Sequence, residues 1–169
     1  EFEIKMVREH GSIEISSKPP GAEIFIDRKP INEKTPFTVD SISVDQHGVS
    51  VNLKGYREQS IKTNTNNLEK YISDGKKLDL FFPLERKVGN LYIDKRTPKQ
   101  KIEVLVDNKP INLKNVKQTR ESFKFEVPEG KHVIQINEKG YEQIEETIYL
   151  KDRGAKFIKA IGKPILVNI

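Results

Sequence analysis

The sequence predicts an all-β fold made of two tandem small β-sandwich domains of the Ig-like type. Isoleucine and valine together number 32, whereas alanine and leucine together number 13. Because β-branched side chains fit pleated strands better than helices, this composition argues against a helical bundle. Apolar and polar residues alternate over many short stretches, and turn residues separate these stretches at the spacing of about 8 to 12 residues that is typical of sandwiches. The chain also repeats itself, which predicts two copies of one unit.

The repeat is clearest where a short apolar stretch ends in aspartate. Residues 22–32 (AEIFIDRKPIN) match residues 102–112 (IEVLVDNKPIN), with identical Glu, Asp, Lys, Pro, Ile and Asn. Downstream, residues 47–56 (HGVSVNLKGY) match residues 132–141 (HVIQINEKGY). Nearer the end of each copy, a Gly-Lys pair at 75–76 precedes Leu78, Leu80 and Phe82, and the Gly-Lys pair at 162–163 precedes Ile165, Val167 and Ile169. We therefore expect these two stretches to be equivalent in the two copies.

This order of matches predicts three parts of the chain. Residues 1–10 form a connecting segment, residues 11–88 the first domain, and residues 89–169 the second domain. The two domains meet at Lys87 to Gly89 with almost no linker, so we expect an elongated and semi-rigid pair.

In the first copy, period-2 alternation predicts strands in the order that the chain presents them. The alternating apolar pairs are Ile13/Ile15, Ile24/Ile26, Phe37/Val39 and Val49/Val51. Turn-forming residues separate them at Pro19-Pro20-Gly21, Asp27-Arg28-Lys29-Pro30 and Lys54-Gly55-Tyr56. A short helical turn is predicted at Asn67 to Ser73, with an asparagine cap. The stretch Phe2 to Arg8 also alternates and is predicted to be a connecting strand.

The second copy follows the same order. Its alternating stretches are Val104/Val106, Phe123/Phe125/Val127 and Ile134/Ile136, and residues 89–93 match residues 11–15. Its turns are Asp107-Asn108-Lys109-Pro110, Pro128-Glu129-Gly130 and Lys139-Gly140-Tyr141. A second helical turn is predicted at Ala155 to Ile161.

These motifs resemble the PEGA domain, a small β module. The first copy has Pro20-Gly21-Ala22 leading a strand that ends in Asp27, followed by Thr35-Pro36. The second copy has Pro128-Glu129-Gly130-Lys131-His132 at a strand start, followed by Gly140-Tyr141. The copies depart from the pattern at Asp45-Gln46-His47, Arg28, Lys99 to Ile102 and Asn115 to Thr119, and each extends past its Gly-Tyr turn.

The resemblance implies a non-catalytic role. PEGA-like modules occur mostly in bacterial and archaeal envelope or surface proteins, often in tandem and beside anchors or enzymatic domains. The family therefore implies a spacer or a binding module.

Residues that could carry chemistry are read as structural. His47 and His132 occupy equivalent positions in the two copies. A catalytic residue is seldom duplicated without the other residues that catalysis needs. We therefore interpret each imidazole as a group that caps a strand start or forms a hydrogen bond with a turn carbonyl. Asp27 and Asp107 are interpreted as turn formers, because the lysine or arginine after each would repel a metal cation. Tyr56 and Tyr141 are expected to pack over a sheet end.

No catalytic or cofactor motif stands out. The sequence has no nucleophile elbow, zinc-protease helix, phosphate-binding loop or dinucleotide fingerprint. It has no cysteine, which excludes disulfides, thiolate metal sites and cysteine nucleophiles. We therefore expect neither an enzyme nor a cofactor or metal site. A carboxylate pair that converges only in the fold would leave a hydrolase as an alternative.

Charge distinguishes the two copies. The chain has a net charge of +5, and the second copy carries almost all of this excess. We nominate the basic residues of its loops as possible contacts to an anionic partner: Lys95, Arg96, Lys99, Lys101, Lys114, Lys117 and Arg120. A merely solvated lysine-rich surface is the alternative. A specific nucleic-acid partner is not expected, because we identified no recognition helix, arginine-rich element or aromatic platform beside the lysines.

Location and function follow as expectations. The longest apolar run, residues 80–84, is far shorter than the roughly 18 to 20 residues of a membrane span. No signal peptide is recognisable, and the start at Glu1-Phe2 without methionine favours a piece of a longer protein. We expect a semi-rigid scaffold and protein-interaction module of a bacterial cell envelope, periplasmic or extracellular. A module that binds peptidoglycan or an envelope polysaccharide is the alternative.

Overall fold

A computed structural model describes residues 10–63 and 77–166 of the chain. Nearly all regular structure in these residues is β-strand, with one 3-10 helix at Leu113–Asn115. The predicted all-β class is therefore confirmed. Backbone contacts divide the chain into two compact units, with the boundary between Arg86 and Lys87.

The first unit is a sandwich of two sheets. In one sheet the strand order is β4-β1-β7, and in the other it is β3-β2-β5-β6. All neighbours pair antiparallel except β1 and β7, which run parallel. The strands are β1 (His10–Lys18), β2 (Glu23–Ile26), β3 (Lys29–Lys34), β4 (Phe37–Ser43), β5 (Gly48–Asn52), β6 (Gln59–Lys62) and β7 (Leu78–Pro83).

The second unit has the same topology with one extra strand. Its sheets have the orders β11-β12-β8-β15 and β10-β9-β13-β14, and β8 and β15 are the parallel pair. The strands are β8 (Val88–Lys95), β9 (Glu103–Val106), β10 (Lys109–Pro110), β11 (Lys117–Gln118), β12 (Ser122–Pro128), β13 (Gly130–Asn137), β14 (Ile144–Leu150) and β15 (Ala155–Ala160). The strand β11 and the 3-10 helix before it belong to residues 111–121, which have no counterpart between β3 and β4.

Each unit buries its own core between its two sheets. The period-2 alternation seen in the sequence decides which side chains enter it, because successive strand residues point to opposite faces. The fully buried side chains of the first unit include Ile13, Ile15, Ile24, Val49 and Val51. Those of the second unit include Leu91, Ile93, Val104, Ile134 and Ile136.

Two hairpins explain the repeated Asp-x-Lys-Pro sequence. Asp27 and Arg28, between β2 and β3, have φ angles of 49° and 65°. Asp107 and Asn108, between β9 and β10, have φ angles of 52° and 62°. Two consecutive positive φ angles define the type I′ turn, whose twist matches that of the strands it joins. Aspartate and asparagine tolerate this conformation better than most residues, which accounts for their place at the turn.

The prediction of a helical turn at Ala155 to Ile161 is wrong, because Ala155–Ala160 form the edge strand β15. Ile158 and Ala160 are buried, whereas Phe157 and Lys159 are exposed, and this is the period of a strand. Every residue of β15 pairs with β8, which holds the backbone extended, so tertiary pairing overrides local propensity. The other predicted turn, Asn67 to Ser73, and the predicted strand Phe2 to Arg8 lie outside the described residues.

The alignment of the Gly-Lys pairs is also wrong. The strand equivalent to β7 is β15, since each pairs in parallel with the first strand of its unit. Isolated bridges later in each unit agree with this, joining Tyr56 to Arg86 and Tyr141 to Pro164. The offset arises because residues 63–77 separate β6 from β7, whereas only residues 151–154 separate β14 from β15.

Candidate functional site

A row of basic and aromatic side chains crosses the outer face of the sheet β11-β12-β8-β15. Strand pairing places Lys117 opposite Lys124, Lys124 opposite Tyr92, and Tyr92 opposite Phe157. The neighbours of Tyr92 and Lys124 along their strands are buried in the core, so these two side chains face outward. We call these four residues the basic–aromatic row.

The aromatic half of the row is a stacked pair. The ring centroids of Tyr92 and Phe157 lie 4.5 Å apart, and the ring planes are inclined by 12°. Cross-strand aromatic pairs of this kind stabilise a sheet and hold their rings in fixed orientations. Phe157 lies on the edge strand and is 64% exposed, so part of this large apolar surface is open to a ligand.

The basic half of the row is a pair of lysines on adjacent strands. The Nζ atom of Lys124 lies 5.4 Å from the centroid of the Tyr92 ring. Among residues 10–63 and 77–166, no carboxylate lies within ion-pair distance of Lys117 or Lys124. Like charges directly opposite one another on a sheet are destabilising, so an anion bound between them would relieve repulsion.

A shallow hollow of about 240 Å³ adjoins the two lysines on the same face. Lys117 and Lys124 contribute to its lining, together with Asn90, Asn115 and Glu126 and the apolar residues Val116 and Phe125. The two amides can both donate and accept hydrogen bonds, and the carboxylate can accept them. The hollow thus combines positive charge with groups suited to hydroxyls.

The segment that walls this hollow is specific to the second unit. Asn112 caps the 3-10 helix, because its side-chain oxygen accepts a hydrogen bond of 3.1 Å from the backbone N–H of Lys114. The helix turns the chain so that Lys117 enters β11 and pairs with β12. Residues 111–121 therefore both build the edge of the sheet and supply one of its lysines.

At the equivalent positions of the first unit, acidic side chains replace the aromatic pair. There, Glu14 lies between Thr38 and Asp79 at the positions equivalent to Tyr92, Lys124 and Phe157. Lys77 Nζ lies 2.9 Å from Glu14 Oε2 and neutralises one of the acids. The first unit thus provides an internal comparison that lacks both the lysine pair and the aromatic pair.

Two of the seven nominated basic residues make contacts within the protein. Lys95 Nζ donates to the carbonyl oxygen of Thr119 at 2.9 Å and lies 4.2 Å from the centroid of the Phe123 ring. Arg96 donates to Glu138 at 2.9 Å, and its guanidinium lies 4.5 Å from the centroid of the Tyr141 ring. These interactions hold loops against the unit, so a structural role accounts for both side chains.

The other five are exposed and lie in two groups. Lys99 and Lys101 are on the connection between β8 and β9, on either side of the buried Gln100. Gln100 anchors this connection by donating to Glu138 and to the carbonyl oxygen of Ala160. Lys114, Lys117 and Arg120 belong to the connection between β10 and β12. Of the seven nominated residues, only Lys117 belongs to the basic–aromatic row.

His47 in the first unit and His132 in the second each connect a strand start to a turn, in agreement with the structural interpretation. The Nδ1 atom of His47 lies 2.7 Å from Asp27 Oδ2, and Asp27 Oδ1 accepts a hydrogen bond from the N–H of Gly48. The Nε2 atom of His47 lies 3.1 Å from the carbonyl oxygen of Ser43. The hydrogen bonds from His47 and then from Gly48 hold the pKa of the Asp27 carboxyl below its usual value.

The tyrosines of the Gly-Tyr turns are also structural. Tyr56 packs against the core of the first unit, and its hydroxyl accepts a hydrogen bond of 3.1 Å from Arg86 Nε. Tyr141 bridges to Pro164 and is covered by the guanidinium of Arg96. Both rings therefore make contacts within their own units.

Sequence reasoning missed Lys124, Tyr92 and Phe157. The statement that no aromatic platform accompanies the lysines is wrong, because Tyr92 and Phe157 form one beside Lys124. Because residues Ala155 to Ile161 were predicted to be helical, Phe157 was not placed on the outer face of a sheet. The alternation of Phe157 and Lys159 with Ile158 and Ala160 was the signal that could have placed it on an outer face.

Comparisons with known proteins agree with this architecture. Residues 10–76 match the PEGA domain. A solved structure with a similar fold, "The Bacillus anthracis TIE protein", has 20% sequence identity and a TM-score of 0.51. The similarity covers 91% of this chain and 34% of that one, so this chain spans about a third of its length. At this identity the likeness shows the fold alone. A search of curated proteins found no match.

Within residues 10–63 and 77–166, no group of three or more His, Asp or Glu side chains is arranged to hold a metal ion. In the same residues, no helix is long and apolar enough to cross a membrane.

Proposed function

We propose that this chain is a non-catalytic β module of a bacterial cell-envelope or surface protein, which acts as a semi-rigid spacer and docks an anionic partner through its second unit. The PEGA match supports the envelope setting, since modules of that family occur mostly in envelope and surface proteins. The short connection between β7 and β8, residues 84–87, supports the spacer role.

The observation that carries the docking role is the Lys117–Lys124 pair. Two lysines face each other on adjacent strands, and no carboxylate of the described residues lies within ion-pair distance of either. Such an arrangement costs stability. Glu126 lines the same hollow but lies beyond ion-pair distance of both lysines, so a bound anion could offset this cost. The first unit has no such pair in the equivalent row, so the docking role is assigned to the second unit.

The hydrogen bonds of His47 and His132 support a non-catalytic role. A general base must have a ring nitrogen within reach of a substrate proton. Both ring nitrogens of His47, and both of His132, are within hydrogen-bond distance of groups of the same unit. The same bracing occurs twice, at equivalent places, which is what a structural device predicts.

The test is retention of the purified protein on isolated bacterial cell walls. We expect retention at low ionic strength and release at about 1 M salt, where the screening length falls to about 3 Å. The variant Lys117→Glu/Lys124→Glu should lose retention. The control variant Lys34→Glu/Lys54→Glu makes the same change of charge at exposed sites of the first unit and should be retained. Equal retention of the two variants, or no retention at low salt, would refute the proposal.

A further inference from the structure

We infer that the basic–aromatic row and its adjoining hollow bind a carboxylated saccharide chain, such as a polyuronate. This inference rests on the proposed docking function and names the chemical class of the anionic partner. Three features of the same sheet face support it: the lysine pair, the hydroxyl-binding groups of the hollow, and the exposed phenyl ring.

The lysines would bind the carboxylates. Lys117 and Lys124 are adjacent, and no acidic side chain of the described residues pairs with either one. An ammonium group is a compact charge with three donors, which suits a carboxylate approaching from solvent. Lys117 is exposed and Lys124 is partly exposed, so both side chains can be reached from solvent.

The hollow would bind sugar hydroxyls. Asn90, Asn115 and Glu126 lie around it together with the lysines. A hydroxyl both donates and accepts hydrogen bonds, so it can satisfy the Glu126 carboxylate as well as the two amides. Glu126 would repel a carboxylate or a phosphate alike, so it requires a ligand that places hydroxyls there and its charges at the lysines. A polyuronate carries free hydroxyls on each sugar beside its carboxylate, whereas an internal deoxyribose of DNA has none. This favours the saccharide, although an aromatic ring beside lysines could serve either ligand.

The aromatic pair would pack against a sugar ring. Stacking against Tyr92 fixes the orientation of the Phe157 ring. The apolar C–H face of a pyranose can then cover the exposed part of this ring. Adjacent strands are about 4.8 Å apart, so the row from Lys117 to Phe157 extends over three strand spacings, or about 14 Å. A row of this length fits a chain of several sugars rather than one.

The equivalent positions of the first unit indicate which unit should bind a polyuronate. Glu14 and Asp79 occupy the places of Tyr92 and Phe157 there, and they would repel a polyuronate. Phe81, on the edge strand β7, is 61% exposed but pairs with Ser16 rather than with an aromatic residue. Phe81 therefore provides a control of matched exposure for Phe157.

The experiment is calorimetric titration of the purified protein with galacturonate oligosaccharides. Neutral galactose oligosaccharides, polyglutamate and a single-stranded oligonucleotide serve as comparison ligands. We expect galacturonate to bind more tightly than the other three. Phe157→Ala should weaken galacturonate binding about tenfold, as expected for loss of an aromatic anchor. Phe81→Ala should bind like the parent, and Lys117→Glu/Lys124→Glu should not bind measurably. Circular dichroism should show the same fold in every variant.

The outcomes separate this inference from the proposed function. Loss of galacturonate binding on lysine reversal but not in Phe157→Ala would overturn the saccharide inference and leave anionic docking in place. Tighter binding of polyglutamate or of the oligonucleotide would overturn it as well, in favour of an acidic protein or a nucleic acid. Absence of binding to every anionic ligand would refute both the inference and the docking function.

Discussion

The Nδ1 atom of His132 lies 2.7 Å from the Oδ2 atom of Asp107, at the turn that joins β9 to β10. The other oxygen of Asp107 accepts a hydrogen bond of 2.9 Å from the N–H of Val133, and Nε2 of His132 lies 2.8 Å from the carbonyl oxygen of Pro128. One imidazole and one carboxylate thus connect the β9–β10 turn, the start of β13 and the end of β12. The pair Asp27–His47 does the same in the first unit.

Replacing this aspartate should destabilise only the unit that contains it. Asp107→Asn keeps the size of the side chain but removes the charge that receives both hydrogen bonds. We expect the free energy of unfolding of the second unit to fall by about 1 to 2 kcal/mol, since hydrogen bonds to a charged group are stronger than neutral ones but this site is partly exposed. Urea unfolding measures the loss. Asp45→Asn is an exposed control for which little change is expected, and equal stability of the two variants would contradict the bracing role.

The same aspartates should contribute to stability in a pH-dependent way. The hydrogen bond from His132, followed by that from Val133, lowers the pKa of Asp107 below its ordinary value of 3.8 in the folded protein. A carboxyl whose folded pKa is depressed contributes stability fully above its unfolded pKa and loses it as pH falls through the folded pKa.

The stability difference between the parent and Asp107→Asn should therefore be constant at neutral pH and shrink as pH is lowered below about 4. Urea unfolding at a series of pH values provides the measurement. A difference that stays constant down to the lowest accessible pH would show that the charge of Asp107 does not matter.

Gly89 should tolerate no side chain. A Cβ atom at this position would lie 2.8 Å from the carbonyl oxygen of Lys151 and 2.9 Å from Leu150 Cδ2. We expect Gly89→Ala to destabilise the second unit by about 1 to 3 kcal/mol through overpacking. Gly48→Ala is the control, because its Cβ would meet only Asp27 Oδ1, at 4.0 Å. Thermal unfolding that is equally unaffected by both substitutions would contradict this packing.

The strand β15 can be tested through its alternation. Ile158 is buried and Lys159 is exposed, so Ile158→Ala should reduce the free energy of unfolding by about 2 to 4 kcal/mol. Lys159→Ala should change it by less than about 0.5 kcal/mol. Similar losses at both positions in chemical denaturation would argue against a strand with one buried face.

The repeat and the alternation made much of this fold predictable. Ile13 and Ile15 enter the core as their spacing indicated, and Asp27 and Asp107 form turns as their sequence indicated. These features could be predicted because they depend on short-range patterns.

Features that depend on long-range pairing could not be predicted in the same way. Residues 155–161 carry a weak local preference that pairing with β8 overrides, and the misplacement of Phe157 concealed its stack with Tyr92. Lys124 lies in an ordinary alternating strand, and its significance depends on Lys117, which a separate connection brings opposite to it. A site formed across four strands has no contiguous sequence signal.

An NMR titration tests the central claim most directly, because it reports where an anionic ligand contacts the protein. The labelled protein would be titrated with a galacturonate oligosaccharide at low ionic strength. The account predicts that chemical-shift changes concentrate at Lys117, Lys124, Tyr92 and Phe157 and leave Thr38, Glu14 and Asp79 unchanged. Changes confined to the first unit, or spread evenly over the lysines of both units, would contradict it.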